Sequence, residues 1–189
     1  MMTKKIDFIL GTLFAVATVV FVIIFLTNDV FFNWAFERHH NVLSWYIRPI
    51  LIIPIVLFAF KKSLTGIFAS VFALFTSMFW FPAPAVSSPQ VLSFLAFEME
   101  YLKGVWTAPK IIMSLSVPLF FIALIIAAWK RNWKWLLGVV IAAALLKVLW
   151  SVAFSGEAGM SVLKPAIAGL FLCIAAFYYY KKRQKAKKN

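Results

Sequence analysis

Three basic residues stand inside otherwise apolar runs of this 189-residue chain: Arg48, Lys147 and Lys164. A cation held within hydrocarbon costs on the order of 2–3 kcal/mol unless it is paired or meets water. Such residues therefore point to a bound anion or to an ion pair. Lys147 is the deepest, seven residues before the end of its run at Phe154, or about 10 Å at helical rise. Arg48 and Lys164 each precede a proline, Pro49 and Pro165, where a kink frees backbone carbonyls to accept hydrogen bonds. If their three runs are neighbours, the side chains meet in one outward-opening pocket. Trp150 and Ser151 share a helix face with Lys147 at spacings of three and four, and Glu157 follows across a short loop. The expected substrate-binding set is thus Lys147, Lys164, Arg48, Glu157, Trp150 and Ser151, and its chemistry is recognition of an anionic solute or lipid headgroup. The plainer account of each cation is snorkelling to the interface or a single ion pair. Depth argues against it most strongly at Lys147, which is expected to be buried among its neighbouring spans and paired with Glu157 or with one of Glu98 and Glu100.

A second set carries acid–base chemistry. Both histidines lie in Glu37-Arg38-His39-His40-Asn41, and a general base drawn from His39 or His40 requires a carboxylate such as Glu37, Glu98 or Glu100 beside it. Which of these acts, if any, stays open. Adjacent histidines on a helix point about 100° apart, and no others exist to complete a metal site. Cys173, the single cysteine, sits in an apolar run. Neither metal nor cofactor is expected. No serine stands in a nucleophile-elbow setting and no glycine-rich phosphate loop is present.

The elements that position these groups follow from hydropathy. The chain is 64% hydrophobic and 13% charged, with a mean hydropathy of +0.94. Soluble domains are about a quarter charged, so the chain is read as an integral membrane protein. Its net charge of +13 does not signal nucleic acid, because most of it lies in four clusters at the ends of apolar runs: Lys4-Lys5; Lys61-Lys62; Lys130-Arg131 with Lys134; and Lys181 to Lys188. Consecutive clusters are separated by about two membrane-spanning lengths, so all fall on one side. The positive-inside rule makes that side cytoplasmic. The expected fold is an all-α six-helix transmembrane bundle with both termini cytoplasmic, in a bacterial plasma membrane. The spans are 6–26, 45–60, 64–81, 111–129, 135–154 and 160–180, followed by a basic tail over 181–189. Residues 27–44 are expected to form an outer loop. Ser88-Pro89 opens an amphipathic helix over Val91 to Lys103 that lies in the outer interface.

Weak internal similarity adds a further expectation, three parallel two-helix repeats. Lys62 to Gly66 matches Lys134 to Gly138 in its Lys-to-Gly spacing. Pro49 and Pro118 each stand twelve residues before a basic pair. Repeats suit transporters. Three functions remain in play: a small transporter or binding protein for an anionic group, a membrane-embedded enzyme acting on a lipid-linked substrate at the outer leaflet, and a scaffold subunit of a complex. Membrane lipids are expected partners, and homo- or hetero-oligomers are compatible with the sequence.

Overall fold

The computed structural model describes residues 3–186. Lys187 and Lys188 of the expected tail, and the side chain of Lys185, lie outside that description. The described chain is all-helical: α1 (Lys4–Thr27), α2 (Asp29–His39), α3 (Leu43–Phe60), α4 (Leu64–Thr76), α5 (Pro89–Lys103), α6 (Ala108–Trp129), α7 (Trp133–Ser155) and α8 (Leu163–Ala186). Short 3-10 segments extend α4 (Ser77–Phe79) and join α7 to α8 (Gly156–Val162).

Four apolar helical stretches are long enough to cross a membrane: Lys4–Thr27, Leu43–Phe60, Ala108–Trp129 and Trp133–Gln184. The last is 52 residues long and contains both α7 and α8. These two run antiparallel. Trp133, opening α7, and Tyr180, near the end of α8, bring their ring centroids to 6.3 Å, and both pack on Phe60, Trp133 tilted at 4.9 Å and Tyr180 stacked at 5.1 Å. Helix α4 with its 3-10 extension, Leu64–Phe79, reaches only about 24 Å at helical rise, against a hydrocarbon core of about 30 Å.

Two turns explain how the basic clusters gather. Helix α3 ends at Lys61, Lys62 adopts a left-handed φ of 57°, and Ser63 caps α4 by accepting from the Gly66 N–H. Helix α6 ends at Lys130, Arg131 adopts φ 53°, and Asn132 caps α7 by accepting from the Trp135 N–H. The closing backbone bonds also match, Ser63 N–H to the Phe58 carbonyl at 3.0 Å and Asn132 N–H to that of Ala127 at 2.9 Å. Lys62 and Arg131 hold the same place in their turns, 69 residues apart, as are Pro49 and Pro118.

The first helix joins the same end. The Asp7 carboxylate accepts from Ser63 Oγ at 2.9 Å and from the Leu64 and Thr65 N–H groups at 2.9 and 3.1 Å. It thereby satisfies the free donors at the start of α4. Arg131 Nη2 donates to the Phe60 carbonyl at 3.4 Å. Lys4-Lys5, Lys61-Lys62, Lys130-Arg131 and Lys181-Lys182 consequently lie at one end of the molecule.

Around Phe60 the core is built from α3, α4, α6, α7 and α8, with Ile55, Val56, Ile67, Leu124 and Leu136 fully buried. A second core at the opposite end packs α2 and α5 over the ends of α1 and α3 through Phe32, Phe36, Trp45, Phe94 and Leu95. Helix α2 is a correction to the expected outer loop. Its buried residues Phe32, Ala35, Phe36 and His39 fall at i, i+3, i+4 and i+7, one face of a helix. Asn28 caps it, with Oδ1 accepting from the Phe31 N–H at 2.9 Å. Pro165 sits in the first turn of α8, where its missing N–H leaves no gap in the ladder and no kink is required.

Candidate functional site

The end remote from the basic turns holds the charged residues flagged by the sequence, arranged by α2, α3, α5 and α7. Ser88 caps α5 by accepting from the Val91 N–H at 3.3 Å, with Pro89 in the first turn. Val91, Phe94 and Leu95 face inward, and Glu98, one turn beyond Phe94, shares that face. Lys147 of α7 meets it there. The Lys147 ammonium donates to Glu98 Oε1 at 3.0 Å and stands 5.5 Å from the Phe94 ring centroid and 5.1 Å from that of Trp150. Trp150 in turn packs on Phe97 at 5.6 Å and on Tyr101 at 5.3 Å.

The expected burial of Lys147 among the spans does not hold. Its side chain is 47% exposed, whereas that of Glu98 is 18% exposed. The cation lies between α7 and α5, held by one carboxylate and two rings. Depth along α7 is legible in the sequence. Direction around it is not, because α7 is apolar on every side.

Arg48 is the contrasting case. It is half-buried on α3, its Nε is sealed from solvent, and among the described residues that nitrogen has no hydrogen-bond partner. Among the described residues Arg48 forms no ion pair. The Glu98 carboxylate of α5 is held by Lys147. The following Pro49 packs on α8 at Gly169, where a Cβ would run into the proline ring, and Cys173 Sγ donates to the Pro49 carbonyl at 3.2 Å. Arg48 is thereby fixed at the α3–α8 contact.

His39 completes the cluster. It is buried, with Nδ1 2.7 Å from Ser44 Oγ, and the Ser44 hydroxyl donates to the Asn41 carbonyl at 2.7 Å. A hydroxyl has one hydrogen, so Ser44 must accept from His39 Nδ1–H, which leaves Nε2 as the unprotonated nitrogen. Trp45 Nε1 donates to the His39 carbonyl at 3.0 Å. Burial, then the positive charges of Arg48, Lys147 and His40, hold the imidazole well below its ordinary pKa of 6.5. The imidazole is therefore neutral at pH 7.

The other candidates are placed apart. Lys164 and Glu157 are exposed, as are Glu37 and Glu100. His40 is half-buried beside His39. Ser151 is fully buried beneath Gly159, and its Oγ has no partner among the described residues. Among those residues no three His, Cys, Asp or Glu side chains converge as metal ligands would. Sequence reasoning missed Ser44, which sets the tautomer of His39, and Phe94, which stands under Lys147. The spacing of Phe94 and Glu98 was the available signal. It missed also that Lys110 is buried, its ammonium donating to the Gly104 carbonyl at 2.8 Å between Tyr101 and Trp106. Comparison of the chain with protein-family models, with curated proteins and with solved structures returns no match.

Proposed function

We propose that the chain crosses the membrane six times, with both termini on the cytoplasmic side, and binds an anionic group, a solute or a lipid headgroup, at the opposite face. The antiparallel α7–α8 hairpin and the common basic end support six crossings, with α4 as the short one. The matched turns after α3 and α6 support an internal repeat of which these helices are two copies. The observation that carries the binding reading is Arg48. Among the described residues its guanidinium pairs with no carboxylate, His39 beside it is neutral, and Lys147 has already taken Glu98. The cluster is one positive charge in excess, at a depth where an uncompensated charge is costly. A bound phosphate or carboxylate offsets that cost and supplies the fork that a guanidinium fits.

Binding suits the molecule better than transport through it. Hydroxyls toward the basic end are spent on backbone carbonyls: Thr12 on Phe8, Thr18 on Phe14, Thr65 on Asp7 and Ser70 on Gly66. None is left to line a polar path. The enzyme reading has one observation in its favour, the Nε2 lone pair of His39, oriented through Nδ1 as a general base requires.

The test is native mass spectrometry of the full chain with phosphatidic acid in one arm and inorganic phosphate in another. Both adducts should form on the wild type, and the phosphatidic acid adduct should fall about thirtyfold in Arg48→Met, the worth of one to two charge-assisted hydrogen bonds. Retention of both adducts in Arg48→Met excludes the site. Phosphatidic acid bound without phosphate narrows the ligand to a lipid. Turnover of phosphatidic acid by the wild type and not by His39→Gln selects the enzyme.

A further inference from the structure

The opposite end of the molecule carries an apolar groove beside a basic turn. Between α3 and α4 runs an open groove of about 460 Å³, walled by Leu51 and Phe58 and floored by Gly66, Ala69 and Ala73. From Ser63 to Ala73 it follows α4 for about 15 Å at helical rise, half of a hydrocarbon core of about 30 Å and so the depth of one leaflet. Gly66 shapes it: a Cβ there would collide with the Phe58 ring, which lies across the helix. The groove ends at the Lys61-Lys62 turn, where the Lys61 ammonium stands 5.7 Å over Phe58. Both lysines are exposed, and among the described residues neither side chain has a carboxylate partner. The one acid nearby, Asp7, is spent on the start of α4. The Ser63 and Thr65 hydroxyls are spent on Asp7 as well, so the mouth offers positive charge and nothing else polar.

The same pairing of features recurs after α6. A smaller groove of about 270 Å³, lined by Ile125, Ile126 and Trp129, ends at Lys130, which begins the matching turn after α6.

We infer that the α3–α4 groove seats one acyl chain of an anionic phospholipid, whose phosphate lies against Lys61 and Lys62. The apolar floor takes the chain, and the lysines select the headgroup, since a basic pocket at the cytoplasmic ends of helices is the arrangement that recognises anionic lipid. Zwitterionic lipid fits the same groove and gains nothing at its mouth.

The probe is phosphatidylglycerol against phosphatidylcholine in mixed nanodiscs holding the full chain, read as lipid retained by native mass spectrometry. Wild type should retain phosphatidylglycerol preferentially. Lys61→Gln with Lys62→Gln should lose the preference about tenfold, and Ala69→Leu with Ala73→Leu should lose retention of either lipid. Lys181→Gln with Lys182→Gln should leave both readings unchanged, and every variant is compared in an Arg48→Met background, which removes anionic lipid held at the other face from the reading. Should the groove-filled chain fail to fold, phosphatidylglycerol with a diazirine in its acyl chain, crosslinked to the wild type and mapped by peptide mass spectrometry, should label Leu64–Thr76. Label spread evenly over the other helices, or equal losses in the Lys61-Lys62 and Lys181-Lys182 variants, overturns the inference in favour of diffuse charge.

Discussion

The two ends of this bundle treat charge in opposite ways. At the basic end the single acid, Asp7, accepts three hydrogen bonds and finishes a neighbouring helix, while the lysines point outward. At the other end lie the sealed polar atoms that have no partner among the described residues: Arg38 Nε, Arg48 Nε and Ser151 Oγ. Native proteins leave few such atoms. Their concentration at one end separates charge that holds the fold from charge left available. Asp7 belongs to the first kind and Arg48 to the second, although both sit on apolar helices.

The largest effect that would break this contrast lies at Lys147. In Lys147→Met, Glu98 is released beside Arg48 and neutralises it, so anion binding should fall at least tenfold with little change in stability. Adding Glu98→Gln should restore most of it. A double variant as weak as the single would mean that Lys147 itself holds the anion. Next, Asp7→Ala should lower stability by about 1–2 kcal/mol, the worth of a helix cap, seen as a lower melting temperature in detergent. Anion binding should stay at the wild-type level; a joint loss would show that the two ends are not separate.

His39 sharpens the comparison through pH. Its pKa is depressed in the folded protein, so the unfolded chain binds the extra proton first. Stability should be full above the ordinary pKa of 6.5 and decline as pH falls below it. His39→Gln should flatten that slope, measured as melting temperature between pH 7.5 and 5. The smallest effect is at the turns. Lys62→Gly relieves a left-handed backbone and should stabilise by about 1 kcal/mol. Arg131→Gly also loses the bond to the Phe60 carbonyl and should gain less. Equal gains would mean that bond contributes nothing.

What the sequence discloses, and what it hides, follows the same division. Hydropathy and basic clusters disclosed the long apolar helices and their common end, and Ser88-Pro89 disclosed α5. These are local signals. The identity of each partner was not local. Lys147 was legible as a cation in an apolar run, yet an all-apolar helix marks no face, so its position against Phe94 and Glu98 of α5 had no trace in α7. Arg48 was legible as a candidate, but that Lys147 and not Arg48 takes Glu98 had no trace in α3. Helix α2 was hidden by Glu37 and Arg38, whose charges masked the period of its buried face.

One consequence of the Asp7 contact concerns biosynthesis. The residues that bind Asp7 begin 56 positions later in the chain, and most of α1 faces outward, with Phe8, Leu13 and Val19 each more than half exposed. At a synthesis rate of about 5–20 residues per second, the first helix waits roughly 3–11 s in the bilayer before α4 arrives to claim its carboxylate. Until then the carboxylate has none of the three donors that it holds in the folded protein. The contact that joins the first helix to the fourth is therefore one that synthesis order makes late.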